Sequence, residues 1–154
     1  MIKLKEMNNH EFNTYLDFMI PDYAKDISDN YNLPIDKAME ESEMMMKDLF
    51  PDGLSTDGQF LYNLYDPVIA KEVGIIWFSV NLEINRAYLY HLYIKEAYRQ
   101  KGYATKALEE LQDRVRGRGI NSIALSVFGN NEHAYRLYTK LGFTSSAISM
   151  HKLL

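Results

Sequence analysis

Residues 59–94 constrain the fold more tightly than any other part of the sequence. Three runs, Gln59–Tyr65, Val73–Leu82 and Ala87–Ile94, are dense in β-branched and aromatic residues, with short polar turns at Asp66-Pro67 and Glu83–Arg86 between them. Strands joined by so few residues must be antiparallel neighbours, because a parallel pair needs a crossover of a dozen residues or more. From Ala104 to Arg116 the pattern becomes helical, with Ala104, Ala107, Leu108, Leu111 and Val115 on one stripe and Gly117 and Gly119 to stop it. Ile123–Val127 then reads as a short buried strand. A helix between Ile94 and Ile123 makes a right-handed crossover and places those two strands parallel. The expected class is therefore α/β: a mixed, mostly antiparallel sheet flanked by helices.

The flanks supply the remaining elements. Ile2–Met7 alternates like a strand, and Asn8 precedes Glu11 by three residues, the spacing of a capping box. Phe12, Tyr15, Leu16 and Met19 follow as the apolar face of a helix that Pro21 is expected to end or kink. After the polar stretch Asp22–Asn32, Pro34 opens a second helix over about Ile35–Phe50, with Ala38, Met39, Met45, Met46 and Leu49 inward. The methionine run Met44–Met46 reads as adaptable core filling. Pro51–Gly58 is turn-rich. Asn131 caps a last helix with Ala134, Leu137, Tyr138 and Leu141 inward, Gly142 ends it, and Thr144–Leu154 reads as a final strand. No linker or repeat interrupts this order, so residues 1–154 are expected to form one domain.

A hydrophobic fraction of 47% with 25% charged residues belongs to a globular chain and excludes a disordered one. No apolar run approaches the roughly 20 residues that cross a bilayer, and the N-terminus lacks the apolar region of a signal peptide, so a cytoplasmic protein without a membrane role is expected. With no cysteine, the chain has no disulfide, no thiolate nucleophile and no Cys-based zinc site, and no metal is expected. The net charge of −4 argues against non-specific nucleic-acid binding. Its distribution is uneven. Residues 1–58 carry 13 acids and 5 bases, whereas residues 59–154 carry 8 acids and 12 bases, so the second part suits an anionic ligand.

The sharpest motif is Arg99-Gln100-Lys101-Gly102-Tyr103-Ala104-Thr105, between a strand and a helix start. Such a turn aims unpaired backbone N–H groups at one spot and adds the positive end of the helix dipole. Gly102 permits close approach, and Arg99 and Lys101 add full charges; together they make a diphosphate site. A Walker loop would need Lys-Ser/Thr after the glycine, where Tyr103-Ala104 stands, and the dinucleotide fingerprint needs three spaced glycines.

A second motif lies downstream: Asn131-Glu132-His133-Ala134-Tyr135-Arg136-Leu137-Tyr138-Thr139-Lys140-Leu141-Gly142-Phe143. With both in place, the chain resembles the GNAT superfamily of N-acetyltransferases. That family pairs an Arg/Gln-x-x-Gly-x-Gly/Ala turn, matched by Arg99, Gly102 and Ala104, with an Asn-x-x-Ala-x-x-Leu-Tyr-x-Lys-x-Gly-Phe helix. Asn131, Ala134, Leu137, Tyr138, Lys140, Gly142 and Phe143 match the latter. The resemblance covers about residues 70–150.

The resemblance implies a GNAT-like acyl-CoA N-acyltransferase fold and transfer of an acetyl group from acetyl-CoA to a primary amine by direct attack in a ternary complex. Backbone groups at Leu92, Tyr93 and Ile94 would bond the pantetheine arm where two parallel strands splay. The N–H groups of Gln100 to Thr105, within Arg99, Gln100, Lys101, Gly102, Tyr103, Ala104 and Thr105, would hold the pyrophosphate. Asn131 would approach the pantetheine or cap its own helix. Tyr138 would protonate the leaving thiolate. Relatives often carry a glutamate on the strand before the Asn helix, where this chain has Ser126; either His91, Glu83 or a water chain acts as base, or the acceptor is a less basic amine. Asp22, Asp26, Asp29, Asp36, Glu40, Glu41 and Glu43 fall in the region that walls the acceptor site in the family, which points to a small cationic amine or a peptide N-terminus. The alternative is a non-catalytic acyl-CoA-binding sensor. A homodimer is compatible with the sequence, which does not give the oligomeric state.

Overall fold

The computed structural model describes residues 1–154, in the order β1 (Lys3–Glu6), α1 (Asn9–Tyr31), α2 (Ile35–Leu49), β2 (Gln59–Asp66), β3 (Lys71–Asn81), β4 (Arg86–Ile94), α3 (Tyr103–Arg116), β5 (Ser122–Leu125) and α4 (Glu132–Lys140). The chain divides into two compact units. One comprises Met1–Tyr15 with Lys47–Ser126, the other Leu16–Met46 with Val127–Leu154.

The first unit is built on a five-stranded sheet in the order β1-β2-β3-β4-β5. β1 through β4 pair antiparallel in sequence order, and β5 returns parallel to β4. The class is thus the expected one, a mixed and mostly antiparallel α/β arrangement, with the crossover helix α3 joining the parallel pair. Successive strand residues face opposite sides of a sheet. Trp77, fully buried, meets Phe50 at 4.9 Å between ring centroids, while its neighbour Phe78 meets Phe60 at 5.2 Å. The Phe50 side also receives the start of α1. There the capping box forms as read, with Asn8 N–H donating to Glu11 Oε1 (3.0 Å) and Glu11 N–H to Asn8 Oδ1 (2.8 Å). Glu11 Oε2 also accepts from Asn63 Nδ2 at 2.9 Å, which fastens the helix start to β2. On the Phe78 side, α3 buries Tyr103, Ala107, Leu108, Leu111 and Val115.

The ladder between β3 and β4 has one register irregularity. Pairing steps from Trp77↔His91 to Phe78↔Leu89, so Tyr90 is an extra residue, a β-bulge in the middle of β4. Gly74, opposite Ile94, is glycine because a Cβ there would collide with the Tyr93 carbonyl oxygen.

In the second unit, Ala24, Ile27 and Ala38 form a buried cluster with Tyr23, Leu33, Met39 and Phe128 packed against it. Pro34 opens α2 as expected, its carbonyl accepting from Ala38 N–H at 3.0 Å. The buried Ser42 hydroxyl donates to the Ile20 carbonyl at 2.8 Å.

Two expectations are corrected. Pro21, expected to end or kink the first helix, does not end it; α1 runs through it without a break. A proline inside a helix costs about 3 kcal/mol, but Met19 and Ile27 on either side are buried, and each such large apolar side chain returns about 1.5–3 kcal/mol. Second, residues 144–154 form no strand. Ile148, Met150, Leu153 and Leu154 are exposed, and a strand pattern without a ladder partner does not make a strand.

Candidate active site

β5 pairs with β4 only over Arg86–Leu89, from the start of β4 to just before the bulge. Beyond that, β4 continues to Ile94 with β3 as its one neighbouring strand. Lys95 N–H donates to the Val73 carbonyl at 2.9 Å, which sets the antiparallel alternation. His91, Tyr93 and Lys95 turn their peptide groups toward β3, while Leu92 and Ile94 turn theirs to the side that β5 has left. Of the three strand residues expected to bond a pantetheine arm, these two have the outward orientation. The Ile94 carbonyl is engaged by Arg99 Nε at 2.8 Å.

The turn after β4 is held in an uncommon backbone conformation. Gln100 has a φ of 61° and Gly102 a φ of 81°. For glycine this is free, but for glutamine the left-handed region costs roughly 1 kcal/mol and persists only where surrounding contacts impose it. Those contacts are visible. Arg99 folds back onto the Ile94 carbonyl and lies 5.5 Å over the Tyr93 ring. Tyr98 and Tyr103, on either side of the turn, meet edge to face at 6.3 Å.

Helix α3 begins with no side-chain cap. Its first internal bond runs from Lys106 N–H to the Gly102 carbonyl (3.1 Å), so the amides of Tyr103, Ala104 and Thr105 have no acceptor within the helix. Nothing stands within 4 Å of the point where a Gly102 side chain would begin. Unused amides, a dipole end, open space and the exposed Lys101 fit a diphosphate. The Tyr103 side chain plays a different part. It is buried, and its hydroxyl donates to Asp66 Oδ2 at 2.5 Å, so only its amide is available to a ligand. Asp66 gave no sequence signal beyond a turn next to Pro67, because its partner lies 37 positions away.

On α4, Asn131 Oδ1 accepts from Ala134 N–H at 3.1 Å, the ordinary N-cap bond. Its oxygen is thereby engaged with its own helix. Tyr138, seven residues on, lies on the same helix face, packs edge to face on Phe143 at 5.6 Å, and has its phenol pushed above the usual tyrosine value by burial.

The candidate bases differ in setting. His91 Nδ1 lies 2.7 Å from the hydroxyl of Tyr15, a residue on α1 only 2% exposed, so this ring is held in place by the helix start packed on the sheet. Glu83 is exposed in the β3–β4 turn. Leu92 lies six positions along β4 from Arg86, which is next to that turn, roughly 20 Å at the usual rise. Ser126, where relatives often carry an acid, is bonded to Tyr88 Oη at 2.7 Å.

Comparison with known proteins identifies the family. Residues 24–143 match the model of the acetyltransferase (GNAT) family, and the chain belongs to that family. It is 34% identical to the uncharacterized N-acetyltransferase YycN of Bacillus subtilis, over 99% of each chain. The crystal structure of YycN superposes with a TM-score of 0.93, covering 100% of this chain and 99% of that one. The paiA N-acetyltransferase of Thermoplasma acidophilum, solved in complex with coenzyme A, shares the fold at 17% identity and a TM-score of 0.68, covering 97% and 93% of the two chains.

Proposed function

We propose that this protein transfers an acetyl group from acetyl-CoA to a primary amine, either a small cationic amine or a peptide N-terminus, by direct attack in a ternary complex. The observation that carries the reading is the uncapped start of α3 behind the left-handed turn Gln100–Gly102, next to a strand edge that β5 has left open. The amides of Gln100 to Thr105 hold the pyrophosphate, and the outward peptide groups of Leu92 and Ile94 hold the pantetheine arm. In the donor molecule the thioester supplies the activated acetyl group. The chain supplies alignment and proton transfer. Because burial keeps the Tyr138 phenol protonated well past neutral pH, it is suited to donate a proton to the departing thiolate.

Acceptor basicity bears on the base. A lysine-like amine is about 3.4 pH units from neutral at pH 7, a deprotonation cost of roughly 4.6 kcal/mol, against about 1.4 kcal/mol for an α-amine of pKa ~8. His91, oriented by Tyr15, or a water chain then serves as proton acceptor. Acidic residues on α1 support a cationic acceptor. Burial and the neighbouring Asp22 raise the Asp26 carboxyl, the sign of a crowded negative surface. A cytoplasmic setting fits this chemistry; no helix is long and apolar enough to cross a membrane.

The test is CoA release from acetyl-CoA with a panel of polyamines, aminoglycosides, amino acids and peptides. Tyr138→Phe should lower kcat on the order of a hundredfold with CoA affinity unchanged. Turnover in that variant equal to wild type would remove Tyr138 from the chemistry. Acetyl-CoA binding with no amine turned over would instead indicate a sensor.

A further inference from the structure

Asp66 is a buried carboxylate that the proposed chemistry does not use, yet both its oxygens are engaged. Oδ1 accepts from Val68 N–H at 2.9 Å, closing the turn that leads from β2 to β3, and Oδ2 accepts from the Tyr103 hydroxyl at 2.5 Å. A phenol-to-carboxylate bond of that length is charge-assisted and stronger than a neutral one. Tyr103 is the first residue of α3, immediately after Gly102. Its ring also meets Tyr98 edge to face and carries Lys106 Nζ 5.4 Å above its centroid. Residues 99–102 are thus a small loop whose neck is closed by Tyr98 and Tyr103, and whose C-terminal side is fastened to the sheet through Asp66.

We infer that Asp66 and Tyr103 are positioning residues: their buried bond holds the Gln100–Thr105 amides in the anion-binding arrangement before any ligand arrives. The inference rests on the reading of that turn as the pyrophosphate site. Strain supports it. Gln100 sits at a positive φ that its own sequence does not favour, and the fastening on the Tyr103 side, with Arg99 bonded to Ile94 on the other, is what keeps it there. A ligand meeting a preformed cradle avoids the cost of ordering it, so loosening the bond should weaken affinity through the cradle alone.

Titration calorimetry with CoA and with pantetheine, which lacks the diphosphate, tests this together with thermal melts. Tyr103→Phe keeps the ring and deletes the hydroxyl; Asp66→Asn keeps a carbonyl acceptor. The Kd for CoA should rise about tenfold in Tyr103→Phe and less in Asp66→Asn. The double variant should be no weaker than Tyr103→Phe, because both substitutions act on the same bond and Tyr103→Phe already removes it. Pantetheine affinity should stay as in wild type. A Tyr103→Phe Kd for CoA within twofold of wild type overturns the inference, and so does equal weakening toward CoA and pantetheine, which would mark general loosening. Wild-type protein that binds no CoA overturns the reading of the turn itself, and is told apart from the first result because it needs no variant.

Discussion

Helices α3 and α4 begin in opposite ways. At α4 the chain supplies its own acceptor, since Asn131 Oδ1 takes the Ala134 amide. At α3 the residue in the same position is Gly102, which has no side chain to offer, and the first three amides stay unused. Four N–H groups at every helix start need partners from outside the helix, so a self-capped start is locally complete while an uncapped one is completed by water or a ligand. Positive charge accompanies the uncapped start, in Arg99 and Lys101, whereas Glu132 follows the capped one. On the proposed reading the contrast separates two roles: α3 would bind an anion at its end, and α4 would present a side chain from its face.

Three experiments can break or sharpen that contrast. The largest effect is expected for Gly102→Val. A β-branched residue at a φ of 81° is strained and its side chain would fill the space in front of the amides; CoA affinity should fall a hundredfold or more, with stability lower by about 1–2 kcal/mol. Affinity retained in that variant would show that the α3 end is not where the anion sits. Asn131→Ala should cost about 1 kcal/mol in chemical denaturation, the ordinary value of a lost cap, and change CoA affinity less than threefold. A tenfold loss of affinity would instead give Asn131 a ligand contact and erase the distinction between the two helix starts.

The smallest effect concerns pH. The bonds from Tyr103 and Val68 hold the Asp66 carboxyl below its ordinary range, and the bond to Asp66 holds the Tyr103 phenol above its own. Asp66 therefore adds stability that is complete above the unfolded carboxylate pKa of about 3.9 and fades as pH falls through the lower folded value. Tyr103 adds stability that is complete below about pH 10 and fades as pH rises through its higher folded value. Across the neutral range the pair is constant. Thermal melts from pH 3 to 6 should show a shallower acid slope for Asp66→Asn than for wild type, and identical slopes would mean that the bond does not form in solution.

Several features were legible because they are local. The Asn8–Glu11 capping box, the α3 stripe and the Asn131 cap each involve residues three or four apart, and a short helix segment determines such contacts before anything packs around it. The antiparallel β2–β4 run was legible from its short turns. That α1 continues past Pro21 was not legible, because the penalty is local while the burial that outweighs it is not. For residues 144–154 the reverse held: an alternating pattern is local, but the ladder that would make it a strand must come from elsewhere.

By itself, then, the sequence determined the antiparallel β2–β4 run, the parallel return after α3, and the turn and helix that mark the GNAT family. Tertiary structure decided where the sheet opens, through a bulge at Tyr90 and a β5 that ends opposite Leu89. It also decided which distant side chains meet, joining Asp66 to Tyr103 and Tyr15 to His91. The physical reason is range. Turns, caps and helix stripes are set by steric and hydrogen-bond preferences within a few residues, whereas strand register and buried polar pairs depend on partners that only the folded sheet brings together.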